Sequence, residues 1–365
     1  MLITDLRLTT RFISFKTTYG ISSATYTGET FLLLKLIGAD GTVGLADSVT
    51  AVPFGYEDVG TLRYMIETYL RPAVVGYESL DVEAANQRLE KATPGHPMAK
   101  AVLDIALHDL NARQLGVPLY TLLGGAVRRS VPLIGAVGLS DTDRMVREAV
   151  DLAAQGYLTI KLKFGRDPRS DDDNIRAVLN AIGPDVKLRI DANQACNLVD
   201  YLPLFRKLDG LGLEFIEQPL PSWDLAGYRR LCAALDTPIL IDEGVYTPHD
   251  LMGLIQLQAV DAVNIKILKT GLTGGKRIAA IAEAAGLPCL VGSMFETGVG
   301  TAASLHFAAA TPAITRASEC AFPLLLSEDV LDGAPYSTHP AEPEWPIPGG
   351  PGLGVALRPE VDTLL

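Results

Sequence analysis

The sequence is poor in the residues that mark zinc proteins and disulfide-linked proteins. Only five histidines occur in 365 residues, and no two of them form an HxH or HxxxH pair of the kind that binds zinc. The four cysteines are scattered and include no CxxC pair. They predict reduced thiols in a cytoplasmic protein rather than a disulfide framework or a zinc site.

Long apolar runs and an excess of basic residues are missing as well. No run reaches the roughly 18 apolar residues of a membrane span, and residues 1–12 lack the charged and apolar regions of a signal peptide. The net charge of −12 argues against nucleic acid as a partner, because such a partner favours a basic face. We therefore expect a cytoplasmic protein with a small-molecule partner and no membrane contact.

What the sequence does contain is a series of short apolar runs that each end in a charged residue. The charged residues Lys163, Asp191, Glu217, Asp242 and Lys266 follow one another at intervals of 28, 26, 25 and 24 residues. One strand, one helix and their loops take up a similar length in a βα repeat. The spacing therefore predicts one functional side chain at the same end of each successive strand. In a (β/α) barrel, the C-terminal strand ends form the active-site mouth.

The first third of the chain has a different pattern. Residues 1–37 are typical of antiparallel strands, and Asp40-Gly41 between two apolar runs predicts a hairpin turn. Apolar residues at helical spacing between 98 and 116 predict an amphipathic helix. His108 lies inside that helix, and we interpret it as structural.

Beyond residue 126 the chain alternates apolar runs with Ala- and Leu-rich helical segments, which predicts a barrel of the α/β class. The Pro- and Gly-rich residues 341–354 cannot form a barrel helix and are expected to return to the first unit. We predict an α+β capping domain at 1–125, a barrel at 126–322 and a returning C-terminal segment at 323–365. The predicted strands are residues 131–137, 158–164, 187–192, 213–218, 238–243, 262–267, 288–294 and 316–320.

Three carboxylates end three consecutive predicted strands: Asp191, Glu217 and Asp242. A single acid in such a place often caps the following helix. Three in register, converging on one barrel mouth, are suited to a hard cation such as Mg²⁺ or Mn²⁺. The sequence therefore predicts a metal site at this mouth.

Lysines accompany the carboxylates in the same register. Lys161 and Lys163 are two apart in one strand and point the same way. We expect each ammonium group, together with a nearby metal, to lower the pKa of the other towards that of a general base. Lys266 comes from the sixth predicted strand, which lies opposite the strand of Lys163 in a ring of eight. Two bases facing one carbon predict proton removal next to a carboxylate, with the metal stabilising the enediolate.

These segments resemble the muconate lactonising enzyme subgroup of the enolase superfamily. The similarity rests on KLKFG (161–165), RIDANQA (189–195), EQPL (217–220), IDEG (241–244) and NIKILKTG (264–271), and it extends over nearly the whole chain. The resemblance implies a (β/α)7β modified TIM barrel with an α+β cap built from both chain ends.

The resemblance also implies roles for individual residues. It makes Asp191, Glu217 and Asp242 the Mg²⁺ ligands, and Lys163 and Lys266 the acid/base pair. Other residues are expected next to the substrate: Lys161 as a cationic helper for the substrate carboxylate, Asn193 near the metal, and Phe54 and Tyr56 on a candidate lid loop at 52–58. Ser293, Phe295 and Glu319 are expected in the pocket, with Thr297 beside Phe295 at its floor.

Within the subgroup, two segments favour a muconate cycloisomerase-like, lactonising enzyme. Residues 292–304 and the region around Glu319 are similar to the corresponding segments of cycloisomerases. The Asp-x-Asp pair with which dipeptide epimerases bind a free amine is missing from residues 316–326. The alternatives are a racemase or epimerase of N-acylamino acids or dipeptides, an o-succinylbenzoate synthase, and a dehydratase of a small carboxylic acid such as a hydroxyproline.

Two further alternatives have less support. A barrel that has lost catalysis and only binds a ligand would lack one of the acids or lysines, and all six are present. A sugar-acid dehydratase of the superfamily would usually carry a histidine late in the barrel, where this chain has Gly292-Ser293 and the nearest histidine is His306. The family also leads us to expect a homo-oligomer of unspecified size.

Overall fold

The computed structural model describes residues 1–21, 24–50, 52, 57–334, 336 and 342–365. Three long antiparallel strands form an N-terminal sheet in the order β1-β2-β3. Their bounds are Ile3–Gly20 (β1), Thr25–Gly38 (β2) and Val43–Val49 (β3). The predicted hairpin turn at Asp40-Gly41 is confirmed, because Gly41 has a φ of 83° and Thr42 N donates to Asp40 Oδ1 at 2.8 Å.

Helices cover one face of this sheet. The predicted helix of residues 98–116 is confirmed as Pro97–Gln114, and it packs between β3 and a barrel helix. It is buried along nearly its whole length, because both of its sides face protein. Gly44 in β3 allows the close approach, since a Cβ there would clash with Ala106 O. The helices of this region are Val59–Met65 (α1), Arg71–Val74 (α2) after a π-helical turn at Ile66–Leu70, Val82–Ala92 (α3), Pro97–Gln114 (α4) and Leu119–Leu122 (α5).

The second region is a sheet of seven parallel strands in sequence order, as predicted for a barrel. A short antiparallel strand, Ser130–Pro132 (β4), precedes it. The barrel strands are Gly135–Val137 (β5), Thr159–Lys163 (β6), Lys187–Asp191 (β7), Phe215–Glu217 (β8), Ile239–Ile241 (β9), Ala262–Ile265 (β10) and Cys289–Val291 (β11). The helices are Thr142–Ala154 (α6), Pro168–Ile182 (α7), Leu198–Leu208 (α8), Leu225–Ala234 (α9), Pro248–Gln256 (α10), Ile267–Ala284 (α11) and Gly298–Ala309 (α12).

The eighth predicted strand, residues 316–320, is not a regular strand in the structure. Its backbone donors divide between two neighbours: Ser318 N donates to Pro132 O at 2.8 Å, and Glu319 N donates to Val291 O at 2.8 Å. Residues 316–320 form a single isolated parallel bridge, between Ser318 and Leu133, and no regular ladder with either neighbour. The segment nevertheless lies between β11 and the β4–β5 region and closes the ring. The predicted barrel with a separate α+β cap is confirmed.

The C-terminal segment returns to the cap, as expected. Glu344–Pro346 (β12) pairs antiparallel with β4, a 3₁₀ turn spans Phe322–Leu325, and a short helix spans Pro359–Asp362 (α13). Lys35 Nζ in β2 lies 2.6 Å from Asp362 Oδ1. The exact domain boundaries stay a prediction. In the described part of the chain, no helix has both the length and the apolar character that crossing a membrane requires.

Candidate active site

The C-terminal ends of the central barrel strands gather the charged residues of the sequence pattern. The parallel register places Lys163 beside Asp191 and Asp191 beside Glu217. Asp242 and Lys266 directly follow β9 and β10. All five side chains are nearly inaccessible to solvent. The sequence prediction that they meet at one barrel mouth is therefore correct in its geometry.

Lys161 lies at the centre of this cluster. Its Nζ is 2.8 Å from Asp191 Oδ2, 2.9 Å from Glu217 Oε1 and 2.6 Å from Glu319 Oε1. One ammonium group thus holds two of the three predicted metal ligands together and joins them to the segment that closes the barrel. Asn264 donates from Nδ2 to the same oxygen of Glu217 at 2.9 Å.

Lys163 is the second ammonium on Asp191, with its Nζ 2.6 Å from Oδ2. It also donates to Asn193 Oδ1 at 2.7 Å, and Asn193 Nδ2 donates to Glu243 Oε1 at 2.9 Å. Asn193 has a φ of 44°, a left-handed conformation that asparagine tolerates better than most residues. Its backbone N–H donates to Asp191 Oδ1 at 2.9 Å. Asn193 therefore links the metal-ligand candidate to the lysine, close to its predicted place.

Asp242 lies between two lysines of the next βα unit. Lys266 Nζ is 2.6 Å from Oδ2, and Lys269 Nζ is 2.8 Å from Oδ1. Lys269 also donates to the backbone carbonyl of Asp242 at 2.6 Å. The two oxygens of this carboxylate are therefore held by different lysines.

Burial and the lysines act in opposite directions on the carboxylates. Burial raises the pKa of Asp191, but Lys161 and Lys163 outweigh it and bring the pKa down to about 2. Burial also raises the pKa of Glu217, and the nearby charge of Asp191 adds to this, so that its pKa is raised to about 8. Burial and the neighbouring carboxylates therefore favour the protonated form of Glu217.

The lysines differ from the prediction made from their spacing. Burial lowers the pKa of Lys163, but Asp191 outweighs burial and the repulsion from Lys161, so the net direction is upward. The pKa values of Lys161 and Lys266 are raised for the same reason, by carboxylates within 3 Å. With the charges of the chain alone, the predicted lowering of the lysine pKa values is therefore wrong. Each lysine lies within 3 Å of a carboxylate, and attraction to this carboxylate outweighs burial and the repulsion between the lysines.

The donor set fits a hard cation. In the described residues, no three carboxylate, imidazole or thiolate groups form a ready metal site, and lysine ammonium groups lie between the carboxylates. However, Glu217 Oε2 is fully buried and has no hydrogen-bond partner among the described residues. A buried carboxylate oxygen without a partner is costly unless a cation or donor compensates it. Three carboxylates with such an oxygen suit Mg²⁺ or Mn²⁺ better than zinc.

A cavity of about 470 Å³ lies over the mouth, between the barrel and the end of β1. Lys161, Lys163 and Lys266 line it, so three ammonium groups of the cluster face the cavity. Tyr19 and Phe295 contribute aromatic rings, packed edge-on with their centroids 5.8 Å apart. The cavity therefore combines a charged floor with an apolar wall, as small-molecule sites usually do.

The other predicted pocket residues divide into three groups. Asn193, Ser293, Phe295 and Glu319 line the cavity as expected. Thr297 does not fit the predicted pocket floor: it is fully buried and donates from Oγ1 to Asp47 Oδ2 at 2.5 Å, joining α12 to the cap. Phe54 and Tyr56 lie outside the described residues.

Sequence reasoning missed four residues of this cluster, namely Glu243, Asn264, Lys269 and Tyr19. Local signals exist for three of them. Glu243 directly follows a predicted ligand, Asn264 is two residues before Lys266, and Lys269 is three residues after it, within helical reach. Tyr19 comes from the cap, and no local pattern connects it to the barrel.

Comparison with known proteins agrees with this geometry. Residues 7–124 match the model of the mandelate racemase / muconate lactonizing enzyme N-terminal domain, and residues 144–361 match the enolase C-terminal domain-like model. Together these matches cover most of the chain. The chain belongs to the enolase superfamily.

Its relatives in the superfamily have different activities. The L-Ala-D/L-Glu epimerase of Bacillus subtilis is 35% identical over 335 residues, covering 90% of each chain. Muconate cycloisomerase 1 of Rhodococcus opacus is 35% identical over 344 residues, covering 92% of this chain and 91% of the relative.

A solved structure of the dipeptide epimerase of Enterococcus faecalis, with Mg and the dipeptide L-Leu-L-Tyr, has a TM-score of 0.92 and 29% identity. The alignment covers 98% of this chain and 100% of that one. These superfamily members are isomerases, so an isomerase function fits the chain without deciding which isomerisation it performs.

Proposed function

We propose that this enzyme transfers a proton at the carbon next to a substrate carboxylate, with Mg²⁺ as cofactor. The observation that carries the proposal is the placement of Lys163 and Lys266. They belong to β6 and to the end of β10, with three strands between them in a ring of eight. They therefore face each other across the mouth, and both line the same cavity.

Asp191, Glu217 and Asp242 would hold the cation, and Mn²⁺ is an alternative with the same preference for oxygen. When bound, it supplies positive charge to the substrate carboxylate as negative charge develops there. The solved Mg complex of the dipeptide epimerase of Enterococcus faecalis supports this choice, because that protein is similar to this chain over nearly its whole length.

The lysines move the proton. A lysine Nζ on one side of the substrate carbon takes or gives the proton, and the lysine opposite can act on the other face. Lys161 holds Asp191 and Glu217 in place and presents a fixed ammonium to the substrate carboxylate. Tyr19 of the cap and Phe295 of the barrel exclude water from the apolar side of the cavity.

The finer proposal is a muconate cycloisomerase-like, lactonising reaction. One carboxylate oxygen of an unsaturated dicarboxylate bonds to a chain carbon, and the double-bond electrons move towards the second carboxylate. A lysine ammonium then delivers a proton to the carbon next to that second carboxylate. The relative from Rhodococcus opacus supports this reaction, as do the segments around Glu319 and residues 292–304.

Epimerisation of a dipeptide is the second candidate, favoured by the relative from Bacillus subtilis and by two lysines on opposite faces. A dipeptide amine needs an anionic partner near the end of the barrel. The acid available there, Glu319, already accepts a hydrogen bond from Lys161 at 2.6 Å. This weighs towards substrates without a free amine, including N-acylamino acids. The o-succinylbenzoate synthase and dehydratase reactions need the same proton removal.

Proton exchange in D₂O tests the proposal. The Mg²⁺-loaded enzyme would be incubated with muconolactones, N-acylamino acids, dipeptides and hydroxyprolines, and deuterium uptake followed by mass spectrometry. Uptake from a muconolactone supports lactonisation, and uptake with inversion of an amino-acid derivative supports a racemase or epimerase.

Lysine variants make the experiment decisive. Lys163→Ala and Lys266→Ala should lose exchange with the active compound. Lys276→Ala is the matched control, since Lys276 lies in α11, the helix that begins directly after Lys266, but donates to Ala310 O at 2.7 Å, outside the cavity. An active compound whose exchange survives both site variants would refute the lysine mechanism. The homo-oligomer expected from the family stays a prediction.

A further inference from the structure

Two lysines three residues apart, at the start of α11, bind the same carboxylate, and they occupy different surroundings. Lys266 is the N-cap residue of this helix, and Lys269 lies in its first turn, with its N–H bonded to Lys266 O at 2.9 Å. Residues three apart project to the same side of a helix. Both side chains therefore reach back towards Asp242 on the neighbouring strand end.

Lys269 binds Asp242 at two points. Its Nζ donates to the backbone carbonyl at 2.6 Å and to Oδ1 at 2.8 Å, and its side chain is completely buried. The Nζ also lies 5.0 Å from the centre of the Tyr246 ring. A single donor group that holds both the backbone and the side chain of one residue restricts the rotation of that side chain. Asp242 N–H is held as well, by Gln218 Oε1 at 2.9 Å.

The two lysines border different cavities. Lys266 lines the cavity of about 470 Å³ over the barrel mouth. Lys269 instead lines a second cavity of about 440 Å³, between cap helices α3 and α4 and barrel helices α10 and α11. A residue on the far side of Asp242 cannot reach the reacting atoms directly. Its effect on the reaction must pass through Asp242.

We propose that Lys269 is a positioning residue, which fixes the Asp242 carboxylate from behind for Mg²⁺ binding while Lys266 faces the substrate. This inference rests on the proposed function, because it takes Asp242 as a metal ligand. It divides the two lysines of the segment KILK into one that contacts substrate and one that orients a ligand. Partners that orient metal ligands typically contribute about 10–100-fold to metal affinity or activity.

The first test is Mg²⁺ and Mn²⁺ affinity of the full-length protein, measured by isothermal titration calorimetry and by the electron paramagnetic resonance signal of free Mn²⁺. Lys269→Met keeps an unbranched side chain, one atom shorter, and removes its charge. We expect its metal affinity to fall about 10–100-fold. Lys269→Gln restores one donor without charge and should recover part of the loss.

A matched variant separates this effect from a loss of helix stability. Lys276→Met removes a half-buried lysine from the same helix, where its Nζ binds Ala310 O at 2.7 Å. It should lower the melting temperature without changing metal affinity. At saturating Mg²⁺, Lys269→Met should regain most of the exchange rate, because the lysine facing the substrate is intact.

Chemical rescue gives an independent readout. Lys269→Ala leaves space next to the second cavity for a small alkylammonium ion. Propylammonium should raise Mn²⁺ affinity in this variant and have no effect on the wild type. Tetramethylammonium, which cannot donate a hydrogen bond, should fail to rescue.

The outcomes distinguish the inference from the function on which it rests. If the wild type binds neither Mg²⁺ nor Mn²⁺, the proposed function fails and the inference fails with it. If the wild type binds the metal and Lys269→Met binds it equally well, the inference alone is overturned. Equal losses in Lys269→Met and Lys276→Met would also overturn it, because a general effect of helix stability would then account for both.

Discussion

Strand β7 carries two buried charges with opposite surroundings. Arg189 and Asp191 are two residues apart, so both point towards the barrel interior. Arg189, near the N-terminal end, pairs with Glu214 Oε2 at 2.6 Å and donates to Ala317 O at 2.9 Å. Its guanidinium also lies 5.4 Å from the centre of the Phe215 ring. Asp191, near the C-terminal end, binds two lysines that line a cavity.

A small apolar cluster lies next to Arg189. Phe215, Leu240, Ala262 and Leu290 form a small cluster of their own inside the barrel. Arg189 lines neither of the two cavities described above, even though its Nη2 has no partner among the described residues. Burial and charge therefore do not by themselves mark a functional group. The cavity at the mouth is what separates a reactive charge from a structural one.

The largest effect is expected at the mouth. Lys163→Met should lower the rate of proton exchange by about 10³-fold, within the range for the loss of a general acid or base. Exchange in D₂O and Mg²⁺ affinity would be measured on the same sample. A rate near that of the wild type would show that Lys163 takes no part in the proton transfer. The contrast between a reactive mouth and a structural opposite end would then not hold.

The next largest effect is expected at the N-terminal end of β7, around Arg189. Arg189→Met leaves Glu214 in a buried place without its main partner, so the free energy of unfolding should fall by about 3 kcal/mol. Denaturant unfolding measures this, and Mg²⁺ affinity should not change. The double variant Arg189→Met with Glu214→Leu should recover part of the loss. A weaker Mg²⁺ affinity in the single variant would show that the two ends are coupled.

Mg²⁺ should stabilise the folded protein only by binding at the barrel mouth. At a concentration 100 times its dissociation constant, a ligand that binds the folded state adds about 2.7 kcal/mol to the free energy of unfolding. Chelation should remove this increment from the wild type and from Arg189→Met. Glu217→Gln should show little of it. Thermal unfolding at several Mg²⁺ concentrations measures the difference, and an increment that survives in Glu217→Gln would exclude Glu217 as a ligand.

The smallest effect per pH unit concerns a third buried ionisable group, at the contact between cap and barrel. Asp47 in β3 accepts from Thr297 N at 2.7 Å, but burial outweighs this bond and raises its pKa from 3.8 to about 7. Between about pH 4 and 7 the folded state then binds the proton and the unfolded state does not. Stability should therefore fall as pH rises through this window and stay level above it.

Asp47→Asn should remove this part of the pH dependence, which amounts to at most about 1.4 kcal/mol per pH unit for one proton. Denaturant unfolding from pH 4 to 8 measures the slope, with Asp332→Asn at an exposed position as the control. An unchanged slope in Asp47→Asn would mean that Asp47 is ionised in the folded protein throughout the window.

The contrast between the strand ends was only partly visible in the sequence. The regular spacing of Lys163, Asp191 and Glu217 predicts that all three lie at one barrel mouth. In successive βα repeats of similar length, residues at equal intervals fall at the same end of each parallel strand. Arg189 lies in the same strand as Asp191, and the sequence does not indicate that its role is structural. Its partners, Glu214 and Ala317, come from elsewhere in the chain.

Other parts could not be predicted for related reasons. The place of segment 316–320 in the repeat predicts a strand, and the structure has only an isolated parallel bridge there, between Ser318 and Leu133. Thr297 was placed at the pocket floor, and it binds Asp47 of the cap. With the charges of the chain alone, the pKa of Lys161 and of Lys163 is raised rather than lowered, because the direction depends on distances to carboxylates that spacing does not provide.

The sequence by itself determined the class of fold, the helix at residues 97–114 and the set of charged residues at the barrel mouth. Periodicity is enough for these, since local spacing decides which end of a strand carries a side chain. The tertiary structure alone decided which lysine binds which oxygen, which charge faces a cavity and how the cap covers it. Those depend on distances between residues far apart in the chain, and both burial and charge interactions change steeply with such distances.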